Sequence, residues 1–210
     1  MIGALSLLQH KPKDSVEKFR HHWRHVHGPL AAELHGVRRY VQSHFLSEDA
    51  LTNSMARGLG IDGLAAISFD TEEDRSICYA SHQEEVCDVD SLLFIGASAR
   101  YVTDVDKRIS ALGTQGGYKA VLLVTPDAPD AGSALGSVEQ SGGISELIVH
   151  RITAPGAAPT QTREQIVLPL RAIIEISALD RSSLADCVAA LADEAGDKVA
   201  VFAATPHRIV

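Results

Sequence analysis

The chain has 210 residues, 45% of them hydrophobic and 22% charged, a composition typical of one large globular domain or two small ones. A formal net charge of −8 argues against nucleic acid as a partner, because binding phosphates requires a concentrated basic face. The N-terminal apolar run is too short to span a membrane, and the three cysteines share no metal-binding spacing. We therefore expect a cytoplasmic protein with reduced thiols and no membrane partner.

The first predicted elements are a strand over 2–9 and a helix that Asp14 or Ser15 caps. The apolar stripe of this helix, at helical spacing, consists of Phe19, Trp23, Val26, Leu30 and Leu34. Gly28-Pro29 interrupts the helix, because proline has no amide donor and biases the preceding residue away from helix. We predict a kink or a second helix at this point, with His27 in the disturbed turn.

After Gly36 the period changes to two, which predicts a second strand with Tyr40, Gln42 and His44 on one face. The rest of the first half is predicted as a loop over 47–60, a strand over 64–69, a helix from 71 to about 82, and a strand over 92–95 or, better, 99–109. This β-α-β-β-α-β order is that of the split unit in ferredoxin-like folds.

The second half repeats this order. Its predicted elements are a strand over 118–125, a short helix over 133–140, strands over 144–152 and 168–176, a helix over 181–195 and a strand over 198–204. We therefore divide the chain into units 1–113 and 117–210. A single unit leaves one face of its sheet bare, so the second unit is expected to cover it and form a partner wall without a site of its own.

One stretch, FRHHWRHVHGPLAAELHGVRRYVQSH over 19–44, resembles the signature helix and strand of the EthD-like branch of the dimeric α+β barrel superfamily. The matching positions are Phe19, His22-Trp23, His27-Gly28-Pro29, Tyr40 and His44, with Asp62-Gly63 and Phe69-Asp70 extending the match. The resemblance covers roughly residues 1–110. Together with the repeated element order, it implies two fused ferredoxin-like units that form an α+β barrel, with helices outside and a small apolar cavity between the sheets. Such a fused barrel can associate further as a homodimer.

Four histidines crowd the first helix, namely His21, His22, His25 and His27. No H-E-x-x-H motif occurs and no cysteine or carboxylate stands at ligand spacing, so we predict no metal site. His27 is the candidate for chemistry, because an imidazole can take or return a proton near neutral pH. A buried histidine bonded to a carbonyl at the kink is the alternative. The resemblance to EthD-like proteins favours a role in the site for His27 and Tyr40.

Tyr40 is predicted to donate a hydrogen bond to an oxygen on which negative charge develops. His44 shares its strand face and is predicted to help, although it could also lie at the rim of the sheet. Asp62 is predicted either to orient His27 or to cap a turn. Asp62, Gln42 and Trp23 are further candidates for substrate binding, with a place in the core as the alternative for Trp23.

The sequence has no G-x-S-x-G elbow, no P-loop and no G-x-G-x-x-G after a strand, which disfavours serine-hydrolase and nucleotide-driven chemistry. We expect a lyase or isomerase that needs no cofactor and transfers a proton on a small cyclic or aromatic oxygenated metabolite, such as a lactone, phenolic or polyketide-like compound. One alternative is a monooxygenase of the same superfamily that uses haem or an activated substrate. The other is a non-catalytic small-molecule-binding or stress-responsive protein.

Overall fold

The computed structural model describes residues 1–110, 117–129, 132–156 and 164–210. The first half contains strands β1 (Ile2–His10), β2 (Arg39–Phe45), β3 (Gly63–Phe69) and β4 (Ile95–Ser110), and helices α1 (Val16–His22), α2 (Gly28–Ala32), α3 (Ser54–Leu59), α4 (Glu72–Tyr79) and α5 (His82–Ser91). The second half contains strands β5 (Tyr118–Val124), β6 (Ile144–Pro155), β7 (Glu164–Gln165), β8 (Ala172–Ala178) and β9 (Val199–Arg208), and helices α6 (Gly132–Gln140) and α7 (Arg181–Ala195).

Eight antiparallel strands close into a barrel in the order β1-β3-β2-β9-β5-β8-β6-β4, with β4 pairing back onto β1. The short β7 adds to β4 in parallel. Each half contributes four neighbouring strands in the ferredoxin-like order, and the halves join where β2 meets β9 and β4 meets β6. The predicted pair of fused ferredoxin-like units in one α+β barrel is confirmed. Residues 113–116 lie outside the described residues, so the boundary between the units stays a prediction.

The inside of the barrel is filled with side chains from both halves, among them Leu7, Leu64, Val121 and Phe202. A second apolar core lies between the outer face of the second-half strands and helices α6 and α7. The cavity that brings the candidate residues together lies between the first-half strands and their own helices. The sequence predicted a small apolar cavity between the sheets, whereas this cavity lies outside the barrel, because strand alternation turns the Tyr40 face toward the helices.

Two stretches of the first half differ from their predicted structure. The predicted loop over 47–60 contains α3, which Asn53 caps at its start and Gly60, with a φ of +61°, ends. The predicted helix from 71 to about 82 ends at Tyr79, and a separate helix, α5, follows after Ser81. This second helix is essential to the site, because it carries the carboxylate that binds His27.

A π-helical turn over Trp23–His27 connects α1 to α2. The Gly28 amide bonds to the Trp23 carbonyl five residues earlier, and Pro29, which has no amide hydrogen, follows directly. One extra residue in the turn rotates the following helix relative to a regular α-helix. Val26 of the predicted stripe is consequently 42% exposed, whereas His27 turns toward the sheet and Ala31 is buried.

Candidate functional site

His27 and Tyr40 line the same cavity, which has a volume of about 80 Å³. The cavity lies between the outward faces of the first-half strands and helices α2 and α5. The π-helical turn directs His27 into it, and the alternation along β2 directs Tyr40 into it from the sheet side. Trp23 lines the same cavity, so the structure brings together three of the six residues that the sequence singled out.

His27 is held by Asp90, which the sequence did not single out. His27 Nδ1 is 2.9 Å from Asp90 Oδ2, and His22 Nε2 is 3.0 Å from the other carboxylate oxygen. Because Asp90 occupies Nδ1, the Nε2 atom of His27 is the nitrogen left for a substrate. A carboxylate behind an imidazole fixes the ring and its tautomer, as in hydrolases that use a histidine base.

Asp90 itself is kept ionised by these contacts. Partial burial acts to raise the pKa of Asp90, but the hydrogen bonds from His27 and His22 outweigh it and the pKa is lowered. The carboxylate therefore stays charged at neutral pH and stabilises a positive charge on His27 after proton uptake. This arrangement suits a general base that must hold a proton for part of a reaction.

Tyr40 presents its hydroxyl group in a fixed position. Its oxygen accepts a hydrogen bond from Trp23 Nε1 at 3.0 Å and another from Gln42 Nε2, also at 3.0 Å. The hydrogen of the hydroxyl is then the group that remains for a ligand oxygen. Burial raises the pKa of Tyr40 far above its usual value. The side chain is therefore neutral near pH 7 and can donate a hydrogen bond.

Gln42 and His44 lie behind Tyr40 and not in the cavity. The Gln42 amide also donates to the Trp23 carbonyl at 2.8 Å, and its oxygen is 3.3 Å from His44 Nε2. His44 stacks on the Trp23 ring and meets His207 edge to face. Burial lowers the pKa of His44 to about 3, with a further contribution from His207. Gln42 therefore holds the Tyr40 hydroxyl in place. His44 is a neutral ring that contacts Gln42 and Trp23 but does not line the cavity.

Asp62 lies apart from His27. One of its oxygens, Oδ2, accepts a hydrogen bond from the His10 backbone amide at 2.7 Å. The same oxygen also lies 2.7 Å from His10 Nδ1. Asp62 therefore does not orient His27, which was one of its two predicted roles. Asp90 is the carboxylate that contacts His27. His207 lies beyond the predicted last strand over 198–204, but it belongs to β9 and pairs with Gln42 in the sheet.

Trp23 is both part of the cavity wall and part of the core. Its ring lies over Gly63, where an added Cβ would come within 2.6 Å of it. It is fully buried and packs against Phe19 with ring centroids 5.3 Å apart. Trp23 therefore fixes the helix on the sheet and, through Nε1, the Tyr40 hydroxyl.

Sequence reasoning missed Asp90 because it missed α5. The signal was present: Ser81 caps α5 by accepting a hydrogen bond from the Glu84 amide, and Ser-x-x-Glu is a capping-box pattern. Cys87 on the same helix also lines the cavity. Burial raises the pKa of Cys87 to about 12, so its thiol is no nucleophile at neutral pH.

A larger cavity of about 350 Å³ adjoins the first one. The two share three lining residues, Tyr79, Glu84 and Arg100. The larger cavity also has Arg75 in its wall. Both cavities lie on the helix-covered face of the first-half strands. We call the one with His27 the inner cavity and the larger one the outer cavity.

Within the described residues, no group of three or more histidine, cysteine or acidic side chains is arranged to hold a metal ion. The exposed His21 and His25 rings pack on each other with centroids 4.9 Å apart. Across the same part of the chain, no helix is long and apolar enough to cross a bilayer.

Residues 11–95 match the EthD domain, which confirms the resemblance found in the sequence. No curated protein matches the chain. Among solved structures, an anthrone oxidase-like protein has a TM-score of 0.58 at 11% identity, covering 99% of this chain and 93% of that chain. A proposed monooxygenase from Fusobacterium nucleatum subsp. nucleatum ATCC 25586 has a TM-score of 0.63 at 7% identity, covering 98% and 91%. Another from Lactobacillus acidophilus NCFM has 0.55 at 12% identity, covering 100% and 94%. At such identities the likeness shows a shared fold alone.

Proposed function

We propose that this chain, whose first half carries an EthD domain, is an enzyme that removes a proton from carbon in a small cyclic or aromatic oxygenated metabolite without a cofactor. The observation that carries the proposal is the shared cavity of His27 and Tyr40. A base with a carboxylate behind it and a fixed neutral donor are the two groups that enolate formation requires.

In the proposed reaction, His27 Nε2 takes the proton from a carbon next to, or conjugated with, a carbonyl group. Asp90, bonded to Nδ1, stabilises the imidazolium. The charge that develops on the substrate oxygen is met by the Tyr40 hydroxyl, which Trp23 and Gln42 hold in place. Return of the proton to another carbon gives an isomerase, and loss of a leaving group gives a lyase.

A second candidate shares the first step. The same carbanion can react with dioxygen as co-substrate, so that a CH₂ group and O₂ give a C=O group and water. The substrate itself supplies the electrons, which would make the protein a monooxygenase that activates its substrate. Two observations favour this candidate. The fold is shared with an anthrone oxidase-like protein, and the inner cavity has apolar walls, including Leu8, Ala65 and Ile67, where dioxygen can reside.

Haem fits this site poorly. A histidine with a carboxylate behind it, as in His27 and Asp90, is a common pattern for a metal ligand. An iron held by His27 Nε2 would put the rigid macrocycle in the inner cavity, which measures only about 80 Å³, whereas pockets for drug-sized ligands measure about 300–1,000 Å³. We therefore propose no step that uses haem.

The test is a screen of lactones, phenols and anthrones for turnover without added cofactor, run in air and under nitrogen. Turnover in both atmospheres supports the lyase or isomerase, and turnover that needs dioxygen supports the monooxygenase. A protein that binds these compounds but converts none would be the non-catalytic binder instead. A Soret band in the absorption spectrum of the purified protein would support a haem-dependent monooxygenase instead. The cytoplasmic location and the homodimer remain predictions.

A further inference from the structure

The inner cavity is too small to hold a whole substrate. Its volume is about 80 Å³, whereas an engineered cavity that binds benzene measures about 150 Å³. A substrate whose reacting carbon reaches His27 must therefore extend beyond this cavity. The outer cavity is the adjoining space, and its volume of about 350 Å³ is that of an ordinary ligand pocket.

Charge is distributed unequally between the two cavities. The wall of the outer cavity contains two guanidinium groups, of Arg75 and Arg100, and one carboxylate, of Glu84. The wall of the inner cavity contains two carboxylates, of Glu84 and Asp88, and a single guanidinium, again of Arg100. The outer cavity therefore offers an acidic group on a ligand more guanidinium partners than the inner cavity does.

Arg75 and Arg100 differ in the contacts that their guanidinium groups make. Arg75 binds both oxygens of Glu72 and lies over the Tyr79 ring, 5.6 Å from its centroid. Among the contacts of the described residues, Arg100 donates to Asp88 Oδ1 through Nη2 at 3.3 Å, and 20% of its side-chain surface is exposed. A guanidinium group has five N–H donors in a planar fork that matches a carboxylate. Arg100 therefore has donors to offer at the junction of the cavities.

We propose that the two cavities form one binding site for an elongated aromatic acid, whose carboxylate binds Arg100 from the outer cavity while its enolisable ring reaches His27. This inference rests on the proposed function for the role of His27. It adds the substrate class, a planar carboxylic acid, and it makes Arg100 the residue that determines specificity. Tyr79, which lines both cavities, flanks the middle of such a ligand.

The experiment compares two fluorescent probes of one shape, anthracene-2-carboxylate and 2-(hydroxymethyl)anthracene, binding to the full-length protein. A charge-assisted hydrogen bond predicts that the acid binds roughly tenfold more tightly or better. This preference should fall as sodium chloride is raised. Arg100→Met should remove the preference. Arg57→Met is the matched control, because Arg57 is exposed and bonds to the carbonyls of Ser47 and Asp49.

Equal affinity for the two probes, or no binding of either, would overturn the inference. A preference that persists in a folded Arg100→Met protein would do the same. The comparison of probes on the unaltered protein needs no variant, so it decides the matter even where Arg100→Met fails to fold. Neither result depends on catalysis. Proton exchange on a neutral anthrone can therefore survive the loss of this inference, and a carboxylate preference can survive the loss of the proposed function.

Discussion

Replacing Tyr40 by phenylalanine should destabilise the protein through the two groups that donate to its hydroxyl. Trp23 and Gln42 are both fully buried, and each directs an N–H group at the Tyr40 oxygen. Tyr40→Phe removes the acceptor and leaves both donors without a partner. Gln42 keeps its bond to the Trp23 carbonyl, so only its second N–H group is affected.

The expected loss follows from those two donors. A buried donor without a partner costs about 1–3 kcal/mol, so the free energy of unfolding should fall by roughly 2–4 kcal/mol once relaxation of the site is allowed for. For a chain of this size, that corresponds to a melting temperature lower by roughly 5–15 °C. Urea unfolding followed by tryptophan fluorescence measures the change directly, because Trp23 is the single tryptophan.

Tyr118→Phe is the control for this measurement. Tyr118 is 46% exposed, and removing an exposed hydroxyl should change the free energy of unfolding by less than about 0.5 kcal/mol. A Tyr40→Phe protein as stable as the Tyr118→Phe protein would refute the hydrogen-bond arrangement around Tyr40. The placement of its hydroxyl as a fixed donor would then lose its support.

Three further predictions concern the rest of the structure. The pKa of Asp90 is lower in the folded protein than the value of about 4 in an unfolded chain. Its stabilisation is therefore present at neutral pH and lost as the pH falls through the folded pKa, so Asp90→Asn should flatten the acid limb of stability measured against pH. His150→Ala should lower the free energy of unfolding by roughly 1–3 kcal/mol while leaving turnover unchanged, because it removes the buried His150 partner of Glu175 Oε1, at 2.8 Å, whereas Lys119 still binds Oε2; calorimetry and a rate assay check the two parts. A 1–113 fragment should aggregate or self-dimerise on a sizing column, because it exposes the inner sheet face, and a well-behaved monomer would contradict the fusion of two units.

The barrel could be predicted from the sequence because its signals are local. Strand alternation, the Asp180 cap of α7 and the repeated element order each depend on a few neighbouring residues. The phase of the first helix could not be predicted in the same way. A regular α-helix places Val26 on the stripe, and only the π-helical turn beside Pro29 replaces it with His27.

Asp90, the partner of His27, could not be predicted from the sequence for a different reason. Asp90 is 63 residues away in the sequence, and the two meet only because α5 packs beside the π-helical turn. Asp62 was the nearer acidic candidate, but His10 binds it across the strands. Single residues such as His27 and Tyr40 could thus be selected from the motif, whereas their supporting contacts required the tertiary structure.

The most direct test of the proposed chemistry is solvent exchange on the compound that the screen identifies. Under nitrogen in deuterium oxide, NMR should show protein-dependent replacement of the acidic carbon-bound hydrogen by deuterium. His27→Ala should slow this exchange by about 10²–10⁴-fold, the usual contribution of a general base. His25→Ala, two residues away on the exposed side of the same turn, should leave it unchanged. Full exchange in the His27→Ala protein would show that His27 is not the base.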